Sequence, residues 1–328
     1  MNAAAPIIDI RNLTVTFTAG RKPVQAVNGI DLSVAKGEVL ALLGESGSGK
    51  SVTLRTLLRL HPAKKTRIAG HVQAAGEDVM ALSGRALADF RGRRVSMIFQ
   101  EPLLALDPVY TVGEQIAEVI RRHEGLSRTT ARARALALLQ QVRIPSPEQR
   151  LDNFPHQMSG GMRQRAMIAL ALACNPQVLL ADEPTTALDA TVQIQILLLL
   201  RDLQRELGLS VILVTHDIGV AVEVADRVAV MYAGRIVETG PVRELIRNPQ
   251  HPYTIGLLAS RGHGAMARDA AGGGRLDAIP GAPPDLAALP PGCAFAPRCS
   301  RAIDACLARQ PGMVSVGDDH QARCIRLD

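Results

Sequence analysis

Two hydrophobic rhythms alternate along the chain. Between residues 7 and 36, apolar and polar positions alternate, with Ile8, Ile10, Leu13, Val15 and Phe17, then Val24, Ala26, Ile30, Leu32 and Val34. A period of two lines one face of a strand, so these runs predict antiparallel strands joined at Ala19-Gly20. Val39-Leu40-Ala41-Leu42-Leu43 is uninterrupted and apolar, as expected of a parallel strand buried on both faces. Beyond it, Leu54, Leu57 and Leu58 fall on one side of a helix that stops before Pro62. Arg67 to Met80 reads as another strand pair, turning at Gly70 and Gly76, and Val95-Ser96-Met97-Ile98-Phe99 as a buried strand ending in Gln100. Helical spacing then dominates residues 101–165. Val112, Ile116, Val119 and Ile120 share one face, and Ser127 is suited to cap a second helix carrying Leu136, Leu138, Leu139 and Val142. Arg128, Arg132 and Arg134 on that helix read as its solvated face. A helix through Ala173, a strand from Val178, and a long helix to Leu207 with Leu197, Leu198 and Leu200 follow. The strand Ser210 to Thr215 and a hairpin over Arg227–Glu238, turning at Ala233-Gly234, complete the pattern.

Composition narrows the class. A length of 328 residues suits about two domains, and 47% hydrophobic content supplies a core of Leu, Val, Ile and Ala, since only 2% is aromatic. The net charge of +6 permits an anionic partner, yet the arginines are spread out without interleaved aromatics, which argues against nucleic acid. The start, Met-Asn-Ala-Ala-Ala-Pro, lacks the basic and apolar regions of a signal peptide. No run reaches the roughly 20 apolar residues of a membrane helix, and Ala166 to Ala181 is interrupted by Asn175-Pro176. The expected location is the cytosol, with docking on a membrane protein.

The chemistry concentrates at strand ends. Gly44-Glu45-Ser46-Gly47-Ser48-Gly49-Lys50-Ser51 fits the phosphate-loop pattern G-x-x-x-x-G-K-[ST], and its strand-before, helix-after context turns a glycine turn into a site. Backbone N–H groups and the helix N-terminus suit phosphate oxygens, Lys50 the β- and γ-phosphates, and the Ser51 hydroxyl Mg²⁺. Val178-Leu179-Leu180-Ala181-Asp182-Glu183 is an apolar strand ending in two acids: Asp182 can hold Mg²⁺ through its water shell, and Glu183 can orient and polarise water. Gln100 and His216 also stand at strand ends, where ligands bind in open α/β sheets. Met158-Ser159-Gly160-Gly161-Met162 opens another helix with glycines, suited either to an anion or simply to a flexible cap. Phe17 can stack on an adenine ring or serve as a core residue.

Taken together, these residues resemble the ATP-binding subunit of an ABC transporter from about Ile8 to Ile255. The resemblance implies a P-loop NTPase core of α/β class with an N-terminal antiparallel β subdomain and a helical insert at about 101–165. It makes Phe17 the adenine-stacking aromatic, Gly44 to Ser51 Walker A, Gln100 the Q-loop glutamine near Mg²⁺ and water, and Ser159, Gly160 and Gly161 the ABC signature. Asp182 and Glu183 become Walker B and the catalytic base, Asp189 the D-loop aspartate and His216 the switch histidine. The family's signature is usually Leu-Ser-Gly-Gly-Gln; Met158 keeps an apolar anchor, whereas Met162 lacks the amide. Two such subunits pair head-to-tail, each signature capping ATP held on the other's phosphate loop. The Walker A sequence, Glu101-Pro-Leu-Leu-Ala-Leu-Asp-Pro-Val-Tyr-Thr-Val-Gly-Glu114 and His251-Pro252-Tyr253-Thr254 resemble the oligopeptide/dipeptide importer branch. That branch implies a second, different ATPase chain, two membrane permeases, an extracytoplasmic solute-binding protein and a place on the cytoplasmic face of the inner membrane. Nickel chelates or glutathione are alternative solutes. A soluble ABC protein of translation or repair, or a redox-responsive ATPase, is a further alternative; the chain lacks the second cassette or long coiled coil of the translation and repair types.

The end of the chain reads differently. Residues 1–261 are expected to form the nucleotide-binding domain, 262–292, rich in Gly, Ala and Pro, a linker, and 293–328 a small Cys-rich module. Four of the five cysteines, Cys293, Cys299, Cys306 and Cys324, lie in that module, while Cys174 reads as core. So many thiols in a short, hydrophobe-poor segment suggest a metal staple. The spacing lacks paired C-x₂-C; zinc, an iron–sulfur cluster and unligated thiols are all compatible with it. Gly292 to Cys299 resembles the C-terminal extension of the peptide-importer ATPases, and the resemblance favours a [4Fe-4S] cluster.

Overall fold

The computed structural model describes residues 5–20, 22–186, 188–260 and 279–327. The expected 262–292 linker therefore lies outside the described residues up to 278. In chain order the elements are β1 (Ile8–Phe17), β2 (Val24–Val34), β3 (Val39–Leu43), α1 (Lys50–Leu57), β4 (Thr66–Ala74), β5 (Glu77–Asp78), α2 (Gly84–Arg93) and β6 (Val95–Ile98). The helical stretch follows as α3 (Pro102–Ala105), α4 (Val112–Glu124), α5 (Arg128–Gln141), α6 (Pro147–Arg150) and α7 (Gly160–Leu172). Next come β7 (Val178–Asp182), α8 (Ala190–Leu207), β8 (Ser210–Thr215), α9 (Ile218–Val224), β9 (Arg227–Tyr232), β10 (Arg235–Pro241), α10 (Val242–Arg247) and α11 (Pro252–Ala259). The chain ends with α12 (Asp304–Ala308), β11 (Val314–Gly317) and β12 (His320–Ala322).

These elements form two compact units. The first comprises the chain up to Ile8, Val34–Glu38 and Gln73–Val214. In it, β6 runs parallel to β7, and β7 parallel to β8. All residues of β7 and β8 are buried, which explains their unbroken apolar sequence. Here too lie α2 to α8. Ser127 caps α5 as expected, accepting from the Thr130 N–H at 3.1 Å, and Thr111 with Glu114 forms a reciprocal cap at the start of α4. On α8, Ile196, Leu197, Leu199, Leu200 and Leu203 are buried, whereas Leu198 is 49% exposed.

The second unit comprises Asp9–Ser33, Val39–Val72 and Thr215 onward. Strands β1, β2 and β4 lie side by side in the order β2-β1-β4. Gly70 does not turn the chain, contrary to the sequence expectation. It sits within β4 at φ 108°, where a Cβ would lie 2.5 Å from the Asn12 carbonyl oxygen, so glycine here permits close approach to β1. The turn falls at Ala75 (φ 49°) and Gly76 (φ 83°). A second set of strands has the order β11-β12-β10-β9-β3, with β3 and β9 parallel. The hairpin between β9 and β10 turns at Ala233 (φ 47°) and Gly234 (φ 78°), two positive φ values in succession as a tight hairpin demands. At the chain's end, β12 adds to β10, pairing Ala322 with Glu238. Glu238, fully buried, accepts the N–H groups of Gln250 (2.8 Å) and His251 (2.9 Å) and pairs with His320 Nε2 (2.8 Å). Among the described residues no helix is long and apolar enough to cross a membrane.

Candidate functional site

In the second unit, the chain leaves β3 and makes the predicted glycine loop before α1. Three of its glycines have positive φ: Gly44 (152°), Gly47 (79°) and Gly49 (106°). A Cβ on Gly44 would lie 2.2 Å from the Met231 carbonyl oxygen, and one on Gly49 would lie 2.5 Å from that of Ala26. Gly47, in contrast, faces open space, leaving room for a ligand's approach. Gly49 caps α1 without a side-chain bond, and no acid sits in the first turn, so the helix start offers N–H groups and positive potential. Lys50 is 5% exposed; its Nζ donates to Gly44 O (2.8 Å) and Glu45 O (3.0 Å), which draws the ammonium into the loop. The Ser48 hydroxyl is buried without a hydrogen-bond partner, and Ser51 is half-buried on the first turn. Ser46 is exposed. The donor set and the open cradle fit a magnesium-bound polyphosphate.

The rim of this loop has partners that sequence reasoning missed. Glu45 N–H donates to Tyr253 Oη at 2.8 Å. Its carboxylate is held by both terminal nitrogens of Arg298, at 2.7 and 3.1 Å. The sequence separation, 253 residues for Arg298, leaves no local signal for either contact. Phe17, half-buried at the end of β1, meets the His61 ring edge-on at 5.4 Å. His216, just beyond β8, is exposed.

In the first unit, Asp182 ends β7 and is 1% exposed. Glu183 follows at φ 47°, a left-handed conformation that a side-chain-bearing residue adopts only under constraint. Its N–H donates to Val214 O at 3.0 Å, which anchors the bend. Its carboxylate accepts from Thr186 Oγ1 (2.9 Å) and Gln100 Nε2 (3.3 Å), so Gln100 and Glu183, 83 positions apart, share one cluster. Thr186 is a further member that no motif singled out. Asp189 caps α8, accepting from Val192 N–H at 3.0 Å, and leaves its side chain exposed. Ser159 caps α7 through Met162 N–H at 3.3 Å. A Cβ on Gly161 would lie 2.9 Å from Val192 Cγ1, so glycine lets α7 start close against α8 without displacing that side chain. Met158 is buried, as an apolar anchor should be.

The cysteines gather in the second unit. Cys293, Cys299, Cys306 and Cys324 line one cavity with His251 and Phe295. Gly292 lets the segment close, since a Cβ there would lie 2.2 Å from Cys306 O. Burial pushes the thiols of Cys293 and Cys299 upward, and neighbouring cysteines reinforce both shifts: Cys306 and Cys299 at the first, Cys324 and Cys306 at the second. Among the described residues, no group of three or more His, Cys, Asp or Glu is placed to hold a metal ion. Cys174 is buried, as expected of a core thiol.

Residues 27–186 match the family model described as ABC transporter, and residues 237–306 match that of the oligopeptide/dipeptide transporter C-terminal region. The chain is 51% identical to a Brucella melitensis protein named "Putative peptide import ATP-binding protein", over 98% of this chain and 97% of that one. It is 48% identical to the oligopeptide transport ATP-binding protein OppD of Bacillus subtilis, over 97% of this chain and 88% of the other. Among solved structures, the ATP-binding cassette MJ0796, a dimer in a post-hydrolysis state bound to ADP and Pi, matches with a TM-score of 0.64 at 31% identity, covering 72% of this chain and 99% of that one.

Proposed function

This chain belongs to the ATP-binding subunits of ABC peptide importers, and from that premise we propose how its residues divide the work. The chain hydrolyses ATP and couples hydrolysis to peptide import. The observation that carries this is the phosphate loop between β3 and α1, in a chain whose similarity to peptide-import relatives spans 98% of its length. Backbone N–H groups of Gly44 to Ser51 and the Lys50 ammonium bind the phosphates. Ser51, Gln100 and Asp182 are the residues that would hold Mg²⁺, which when bound would neutralise charge developing on the transferred phosphoryl group. Glu183 orients and polarises the attacking water. Its hydrogen bonds from Gln100 and Thr186 support that role by fixing the carboxylate. His216 hydrogen-bonds the γ-phosphate, and Phe17 stacks on adenine.

Ser159, Gly160, Gly161 and Asp189 act across the interface with a partner ATPase chain, capping nucleotide on its phosphate loop. The two subunits close when the γ-phosphate bridges them and part after hydrolysis, so positioning completes the site. The solved cassette is a dimer with ADP and Pi bound, which supports the pairing of two such subunits. The partner is a different chain, joined by two permeases and an extracytoplasmic binding protein on the cytoplasmic face of the inner membrane. Phe99 (41% exposed), Leu104 (82%), Val109 (69%) and Tyr110 (55%) follow β6 in the first unit and support apolar docking of a permease.

Cys293, Cys299, Cys306 and Cys324 hold a [4Fe-4S] cluster that staples the end of the chain, beyond the 262–292 linker. The lining of one cavity by all four thiols, soft donors of the kind such a cluster takes, supports this reading. The test is anaerobic purification of the whole membrane complex. Co-purified permeases, a bound peptide, visible absorption and stoichiometric iron are expected. Stable ribosome or DNA binding would sink the transport reading. Colourless protein with zinc or no metal would reject the cluster alone.

A further inference from the structure

A carboxylate in a phosphate loop works against its own ligand. Glu45 is the second residue of the loop, and an unpaired negative charge there would repel a polyphosphate. The structure meets this with Arg298, whose side chain is 6% exposed. Its Nη1 and Nη2 reach the two Glu45 carboxylate oxygens at 2.7 and 3.1 Å, in the parallel fork that guanidinium and carboxylate favour. Two further donors are used: Nε donates to Pro280 O at 2.8 Å, and Nη1 to Tyr232 Oη at 3.3 Å. The guanidinium carbon lies 5.8 Å from the Tyr232 ring centroid and 6.0 Å from that of Phe295, within range of both π faces. The Arg298 pKa is raised, chiefly by the Glu45 bond, so its charge is secure. From the other side of Glu45, Lys50 Nζ takes the main-chain carbonyl and Tyr253 Oη the N–H.

We propose that Arg298 is a positioning residue for nucleotide binding: it neutralises Glu45 and holds the phosphate loop, so that the cysteine-bearing segment at the end of the chain sets the affinity of the loop for ATP. Arg298 stands next to Cys299 and five residues after Cys293, at the end of a short turn over Ala296–Arg298. Whatever orders that segment therefore orders the fork. By linkage, ATP binding and the order of the segment favour one another. The inference rests on the reading of Gly44–Ser51 as the ATP site.

The test compares Arg298→Gln, Arg298→Lys and the double variant Glu45→Gln/Arg298→Gln in the full chain, reading ATP affinity by equilibrium binding alongside thermal unfolding. Arg298→Gln leaves Glu45 uncompensated and is expected to weaken ATP binding about tenfold or more, whereas Arg298→Lys, keeping the charge, loses about threefold or less. The double variant, with the charge removed from both partners, is expected to return to within about threefold of the parent. Rescue by the second substitution is what a mere structural prop would not produce. Unchanged affinity in Arg298→Gln, or a double variant as weak as the single, overturns the inference. Should Arg298→Gln fail to fold, the double variant decides: near-parental affinity supports the inference and weak binding overturns it. A parent chain that binds ATP no better than Lys50→Ala would instead overturn the ATP-site reading beneath it.

Discussion

Glu183 carries its side chain at φ 47°, held by its N–H bond to Val214 O and by donors from Thr186 and Gln100. Such a conformation costs on the order of 1–3 kcal/mol and persists where the surrounding structure over-determines it. Its carboxylate is therefore aimed, and Glu183→Gln, which keeps shape and removes basicity, should retain ATP binding while lowering hydrolysis by about a hundredfold or more in the assembled complex. Parental turnover in that variant would remove Glu183 from the base role. Lys50→Ala should instead abolish ATP binding, since the ammonium is the loop's own cation, buried and turned inward; equilibrium binding checks it. Lys50, Asp182 and Glu183 stand out in the sequence because they lie in contiguous motifs. Thr186 and Arg298 do not. Thr186 sits among small residues with no spacing of its own, and Arg298 reaches Glu45 across 253 positions that no periodicity spans.

At the scale of elements, the unbroken apolar runs were the most readable, because β3, β7 and β8 are buried on both faces and admit no polar residue along most of their length. The hairpin at Ala233-Gly234 was likewise legible from its turn chemistry. Gly70 was misread, because a glycine that opens a turn and one that admits a neighbouring backbone look alike in sequence. The distinction is testable. Gly70→Ala places a Cβ 2.5 Å from Asn12 O at φ 108° and should destabilise by about 1–3 kcal/mol, seen as a lower denaturation midpoint. A turn glycine in open space would show far less. Strand β12, which lies between β11 and β10, depends on Glu238, whose carboxylate accepts two backbone N–H groups and pairs with His320 while fully buried. Glu238→Ala should cost on the order of 3 kcal/mol and raise hydrogen exchange in β10 and β12. Unaltered exchange in β12 would show that the strand is held elsewhere.

Over the whole molecule, the chain has a phosphate loop in one unit and an acidic strand end and a glycine-rich helix start in the other, yet only a single copy of each. The proposed clamp of two chains, each lending the other its helix start, would use two copies of this set. The similarity to peptide-import relatives over nearly the full length assigns the clamp to transport. The cysteine segment is drawn into the same unit as the phosphate loop, and its Arg298 grips that loop directly. Composition set the tail apart by its cysteines but not by what it touches, because the contact with the phosphate loop is made by a lone arginine.

The decisive measurement is ATP-driven accumulation of a labelled oligopeptide in proteoliposomes holding the purified complex, with its binding protein supplied on the side opposite the ATPase. Uptake that requires ATP and disappears when Glu183→Gln replaces the parent chain is the expected result. A complex that hydrolyses ATP at a rate indifferent to peptide, with no accumulation, would contradict the account.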